Sequence, residues 1–208
     1  GNFSAAQTVC MFESRQKQNT QNSAADKKSK GENKIMEISK IWQWFANPPT
    51  SAPTAAILLR LMAGGVFFWE GILKFVYANQ GVGRFTKLGF PFPEFTANFI
   101  GVLEIVGGLL LIFGLFTRFI SFVFIGEMIV AILSTKISLY LGTSPLPLPP
   151  APPQIGFWGV LHDIRSDYAQ IMTCAFLLIA GSGKLSLDSF LAKRREQSRQ
   201  SIAEAVAI

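Results

Sequence analysis

The sequence predicts an all-α membrane protein: an up-down antiparallel bundle of four transmembrane helices behind a disordered polar leader. Three observations carry this expectation. Half of the 208 residues are hydrophobic and only 15% are charged, against roughly 25% in an average soluble domain. The apolar residues gather in stretches approaching the about 20 residues that span a bilayer. Lysine and arginine gather in the two tails, beside those stretches, as they do in the cytoplasmic flanks of membrane helices. The formal net charge of +6 is therefore read as membrane flanking, not as nucleic-acid binding.

The elements follow in order. Residues 1–35 are rich in Gln, Asn, Ser and Lys and have no hydrophobic period, which predicts a disordered leader. The chain begins at Gly1, and Met36 reads as an alternative start, because MEISKIWQWF opens a coherent amphipathic segment. Residues 36–50 suit a short helix lying at the membrane interface. Ile38, Ile41, Trp42, Trp44 and Phe45 would face lipid, with Trp at headgroup level. Asn47-Pro48-Pro49 ends that segment.

Four apolar stretches come next: Ile57–Tyr77, Ala97–Phe116, Phe119–Leu141 and Tyr168–Gly181. The fourth is short, and reaches membrane length only by starting earlier, in Ile155–Leu161, or by continuing into LSLDSF. Thr117-Arg118 alone separates the second from the third, which predicts an antiparallel pair. GFPFPEF, with its Pro and aromatic residues, suits an ordered interfacial loop. SPLPLPPAPP favours extended polyproline II geometry and reads as a stiff spacer. Residues 55–190 form the membrane domain, and 191–208 a basic cytoplasmic tail.

Orientation follows from the cations near the membrane ends. Lys34, Lys40, Arg118, Lys184, Lys193, Arg194, Arg195 and Arg199 fall on one side. Arg84, Lys87 and Arg165 fall on the other, accompanied by Glu94, Asp163 and Asp167. The positive side is the cytoplasm, so both termini lie inside a plasma (inner) membrane and the Pro-rich loop lies outside.

The most informative residues are the charges inside the apolar stretches: Arg60, Glu70, Lys74, Glu104, Glu127 and Lys136. Ionisable groups there are costly and face a bundle interior or a watery cavity. At a rise of 1.5 Å per residue, Glu70 and Glu104 both lie about 20 Å above the inner surface. Lys74 and Lys136 lie about 26 Å up, and Glu127 about 12 Å up. Glu70 and Lys74 are also i, i+4 neighbours. Two acids and two bases thus form a candidate polar cluster in the outer half. One reading is a binding site for a small molecule or proton, and the other is a neutral ion-pair network that fixes helix register. Arg60 and Lys136 have the further option of snorkelling to their nearer interfaces. Glu127 needs a partner or a proton.

Other candidates are weaker. His162 beside Asp163 is a potential base, though a solvated interfacial His is the simpler reading. Gly64, Gly65, Gly71, Gly101, Gly107, Gly108 and Gly114 permit close helix approach. Cys10 and Cys174 make no disulfide framework, and no haem or metal ligand set is visible.

Taken together, LLRLMAGGVFFWEGILKF, GFPFPEF, GVLEIVGGLLLIFGLFTRF and GSGKLSLDSF resemble the DoxX family of small four-helix integral membrane proteins. The resemblance covers about Ala55 to Phe190. Arg60, Gly71 and Lys74 match its first helix. Glu104, Gly107, Gly108, Gly114 and Arg118 match its second. Gly181, Gly183, Leu185, Ser186, Leu187 and Asp188 match its closing Gly-rich turn. The polar leader and the long Pro-rich loop depart from the pattern. The resemblance implies a subunit or partner in quinone-linked or other membrane redox chemistry, with quinone as the candidate substrate and other membrane redox proteins as candidate partners. The alternative is a non-enzymatic scaffold or assembly subunit of a larger complex.

Overall fold

The computed structural model describes Met36, Glu37, Ser39, Lys40, Gln43, Trp44 and residues 52–206. The leader 1–35, with Cys10, lies outside the described residues, as do Ile38, Ile41, Trp42 and Phe45 of the expected interfacial segment. The chain divides into two units, Gly1–Ala46 and Asn47–Ile208. In the first, the described residues are helical. Ser39 Oγ donates to the Met36 carbonyl at 2.7 Å, and Lys40 Nζ lies 3.4 Å from Glu37 Oε1. Both are pairings one helical turn apart.

The second unit contains seven helices and no strand among its described residues. They are α1 (Ala56–Val76), α2 (Val82–Lys87), α3 (Pro93–Phe113), α4 (Thr117–Leu141), α5 (Gly156–Asp163), α6 (Arg165–Ala180) and α7 (Leu187–Val206). Helices α1, α3 and α4 have 21, 21 and 25 residues and mean hydropathies of 1.6, 2.0 and 1.9, so each is long and apolar enough to cross a membrane. Yet only 33%, 33% and 22% of these spans is buried within the chain. The remaining apolar surface has the bilayer as its solvent. This is an all-α membrane protein.

The fourth apolar stretch is built in two pieces. Helices α5 and α6 have 8 and 16 residues, and neither alone reaches span length. Only Ile164 separates them. Backbone bonding runs through the break, because Ile164 N–H donates to Val160 at 2.9 Å and its carbonyl accepts from Tyr168 at 2.8 Å. The stretch therefore starts at Gly156, at the earlier of the two expected limits. Helix α7 carries regular structure through the basic tail to Val206.

Helix α1 packs most extensively on α3, and α4 on α6. The α1–α3 seam is built from glycine. A methyl group at Gly64 would sit 2.6 Å from the Gly108 carbonyl oxygen, and one at Gly71 would sit 2.7 Å from that of Gly101. Gly64 meets Gly108 while Gly71 meets Gly101, so the helices run antiparallel with backbones in contact. The seven-residue spacing keeps both contacts on one seam. Gly107 turns instead toward the Phe124 ring of α4. Between the four long elements lies a core of Ala63, Phe67, Leu111, Ile120, Phe124, Cys174 and Leu177. The rings of Phe67 and Phe124 stack with centroids 3.7 Å apart.

One end of the unit is closed by a polar joint. Gly114 and Phe116 both adopt left-handed backbone between α3 and α4, at φ of 68° and 51°. Asp188, at the start of α7, receives the N–H groups of Phe116 at 3.0 Å and Thr117 at 3.2 Å, and the Thr117 hydroxyl at 3.1 Å. Its own N–H donates to the Gly114 carbonyl at 3.0 Å. Arg60 donates from Nη2 to the Leu185 carbonyl and lies against Gly114. It is 1% exposed, so its side chain turns into the protein and the snorkelling expectation does not hold for it. Arg118 donates to the Ile179 carbonyl at 2.9 Å, where α6 runs out of intrahelical donors.

Candidate functional site

Each long helix brings one or two polar groups to a common level away from that joint. Helix α1 contributes Glu70 and Lys74, α3 Glu104, α4 Glu127, and α6 Asp167 and Gln170. All six line one cavity of about 450 Å³, within the size range of small-molecule sites. Its walls are largely apolar: Val66 and Phe67 of α1, Ile100 and Leu103 of α3, Val123 and Val130 of α4. On α4 most of the lining positions, among them Val123, Gly126, Glu127, Val130, Ala131 and Ser134, follow one stripe at helical spacing, and Met128 lines the cavity beside it. Arg84 and Phe85 of α2 line its end away from the Asp188 joint.

The floor is an ion pair. Lys74 Nζ bonds Glu104 Oε2, with side chains 13% and 3% exposed. Glu127 of α4 lines the same cavity as this pair. Glu127 Oε2 and Gln170 Oε1 are buried without a protein partner. Buried polar atoms are normally satisfied, so these two are acceptor positions open to a ligand, a proton or water. The arrangement offers a cation, carboxyl groups and two open acceptors inside an apolar wall. Groups of this kind can hold a polar head and exchange a proton with it.

Of the five residues the sequence proposed for one cluster, the structure brings Glu70, Lys74, Glu104 and Glu127 to this cavity. Lys136 is placed elsewhere. It bonds Asp163 and lies 3.8 Å from Asp167, in a second, more polar basin of about 620 Å³ at the end away from the Asp188 joint. Lys87, His162 and Arg165 line that basin together with the Pro-rich loop. The depth argument could not say which helix stands beside Lys136. The two spaces meet at Gln80, Arg84 and Thr135, which line both.

Sequence reasoning missed Gln170, Asp167 and Arg84 as cavity residues. For Gln170 the signal was present: a lone amide inside the apolar run of α6, two turns after Asp163 and one after Asp167. The motif residues Arg60, Gly114, Arg118, Gly181, Gly183 and Asp188 lie instead at the opposite end, in and around the polar joint. Gly71, Gly107 and Gly108 lie on the helix seams.

Comparison with known proteins agrees with the resemblance noted above. The model of the DoxX family matches residues 55–137. The Uncharacterized membrane protein Rv3486 of Mycobacterium tuberculosis is 39% identical over 148 residues, covering 68% of this chain and 84% of that protein. The "Putative oxidoreductase CatD" of Bacillus subtilis is 31% identical over 145 residues, covering 70% of this chain and 92% of that protein. No solved structure matches.

Proposed function

Because the chain belongs to the DoxX family, we propose that it is a membrane component of quinone-linked or related redox chemistry, and that a quinone or comparable small molecule occupies the Glu70–Lys74–Glu104–Glu127 cavity. The observation that carries this reading is the paired Lys74 and Glu104 at the floor of an otherwise apolar space. The relative named as an oxidoreductase supports the reaction class.

A quinone takes up protons as it accepts electrons. In this chain Lys74 presents an ammonium donor toward the cavity. Glu104 and Glu127 are the carboxyl groups that exchange a proton with a bound head. The apolar walls exclude bulk water, which strengthens each of these interactions.

In this proposal α5 and α6 together make the fourth crossing, in the plasma (inner) membrane. The Asp188 joint lies at the cytoplasmic end with both termini inside, because the basic flanks gather there. Redox partners dock from the membrane or its surface.

Glu104→Gln preserves side-chain volume and removes the charge facing Lys74. The variant is expected to insert and fold but to lose quinone-dependent turnover and bound quinone. Undiminished turnover would sink the proposal. Native mass spectrometry on gently solubilised protein separates the scaffold alternative, which predicts a stoichiometric protein partner and no small ligand.

A further inference from the structure

From their shared turn, α3 and α4 stay packed as far as Gly107, which sits against Phe124 and Ile120. Beyond that level both helices line the cavity instead, through Ile100 and Leu103 on one side and Val123, Gly126 and Val130 on the other. None of these five is buried, and Gly126 and Val130 are exposed. A side chain added at Gly126 would meet nothing within 4 Å. The cavity is thus open on the flank of the bundle, midway along two helices of membrane length. The medium at that depth is hydrocarbon.

The second mouth has a different chemistry. Where the cavity meets the second basin, Arg84 lines both spaces, and Lys136 bonds Asp163 and lies 3.8 Å from Asp167. A hydrocarbon chain passing there must strip water from those charges without replacing it, which is costly. Along the α3–α4 flank it exchanges lipid for an apolar wall at little cost.

We infer that the cavity is loaded sideways from the bilayer, through the gap between α3 and α4 at Gly126, and that its ligand is a membrane-dissolved molecule with a hydrogen-bonding head and a hydrocarbon body. This rests on the ligand site proposed above and adds its route of entry. The head reaches the Lys74–Glu104 pair and Glu127, while the body lies in the gap between Leu103 and Val130. The charged outer mouth serves water and protons.

The test uses the full chain in lipid nanodiscs and two probes: decylubiquinone, and the tail-less 2,3-dimethoxy-5-methylbenzoquinone. Gly126→Trp places a bulky group in the gap, at a position where an added Cβ meets nothing within 4 Å. It is expected to weaken decylubiquinone binding by about tenfold or more and to change the tail-less probe by less than about twofold. Gly65→Trp, at another glycine whose added Cβ meets nothing within 4 Å and which does not line the cavity, is expected to leave both unchanged. Val130→Trp repeats the block from the neighbouring turn and serves if Gly126→Trp does not fold. Wild-type affinity for decylubiquinone in both blocked variants overturns the route. Equal loss of both probes also overturns it, because the added ring then fills the site and does not guard an entrance. In either case loss of both probes in Glu104→Gln leaves the site itself standing. If the wild-type protein binds neither probe, the site falls and the route falls with it.

Discussion

The carboxylate of Asp188 accepts three hydrogen bonds at once, from two successive backbone N–H groups and one hydroxyl. The backbone N–H groups are the open donors at the start of α4. They are presented because Phe116 takes a left-handed backbone at φ 51°, which costs a non-glycine residue about 1–2 kcal/mol. An anion at a helix start is also favoured by the helix dipole, and Arg60 supplies a nearby positive charge. Asp188→Asn keeps the shape but removes the charge and turns one acceptor oxygen into a donor. The expected loss is about 2–4 kcal/mol of stability, read as a lowered unfolding midpoint in detergent. A midpoint matching the wild type would show that the joint holds without its charge. The cavity residues are under a different constraint. Lys74 and Glu104 are tied to each other across α1 and α3, while Glu127 and Gln170 each keep an acceptor without a protein partner.

Among the elements, the α1–α3 seam is fixed by backbone contact. At Gly108 a methyl group would lie 2.7 Å from the Gly64 carbonyl oxygen and 2.8 Å from Phe68 N. No side chain can move aside there, so the helices themselves must part. Gly108→Val is expected to destabilise by about 1–3 kcal/mol. Gly65→Ala, one residue from the seam but facing open space, is expected to be neutral or to gain up to about 1 kcal/mol of helix propensity. Thermal unfolding of the two side by side checks the contrast, and equal losses would mean that the seam is not the tight contact described. Much of this was legible in the sequence. Long apolar stretches gave the three long helices, and the glycine clusters pointed to close packing. The start of α6 was not, because the charges from Asp163 to Asp167 break the apolar run although the helix continues through them. Nor was the partnership of Lys136 with Asp163. Rise per residue gives depth along an axis, but which helices stand side by side is set by packing that no single helix encodes. Arg60 read as a candidate for snorkelling because its one structural acceptor, the Leu185 carbonyl, is 125 residues away.

For the whole molecule the open question of topology has a sharp physical form. Three helices meet span length individually, whereas the fourth crossing depends on α5 and α6 acting together across Ile164. If they do, the C-terminus returns to the side of the N-terminus. A fluorescent protein fused after Ile208 is then expected to fold and fluoresce in the cytoplasm, and alkaline phosphatase inserted at Pro150 to be active outside. A dark fusion at the C-terminus with active phosphatase there would leave three crossings, and would put the Asp188 joint on the wrong side of the membrane.

The Asp188 joint also sets an order of assembly. The donors it receives lie 72 and 71 residues earlier in the chain, so α1, α3 and α4 leave the ribosome and enter the bilayer before Asp188 has been translated. Until then Arg60 has no Leu185 to bond, and the turn at Phe116 has nothing to hold its left-handed backbone. The inserted chain therefore waits in an unlatched state. Its last stretch of synthesis supplies both the carboxylate of Asp188 and the Leu185 carbonyl that close the joint.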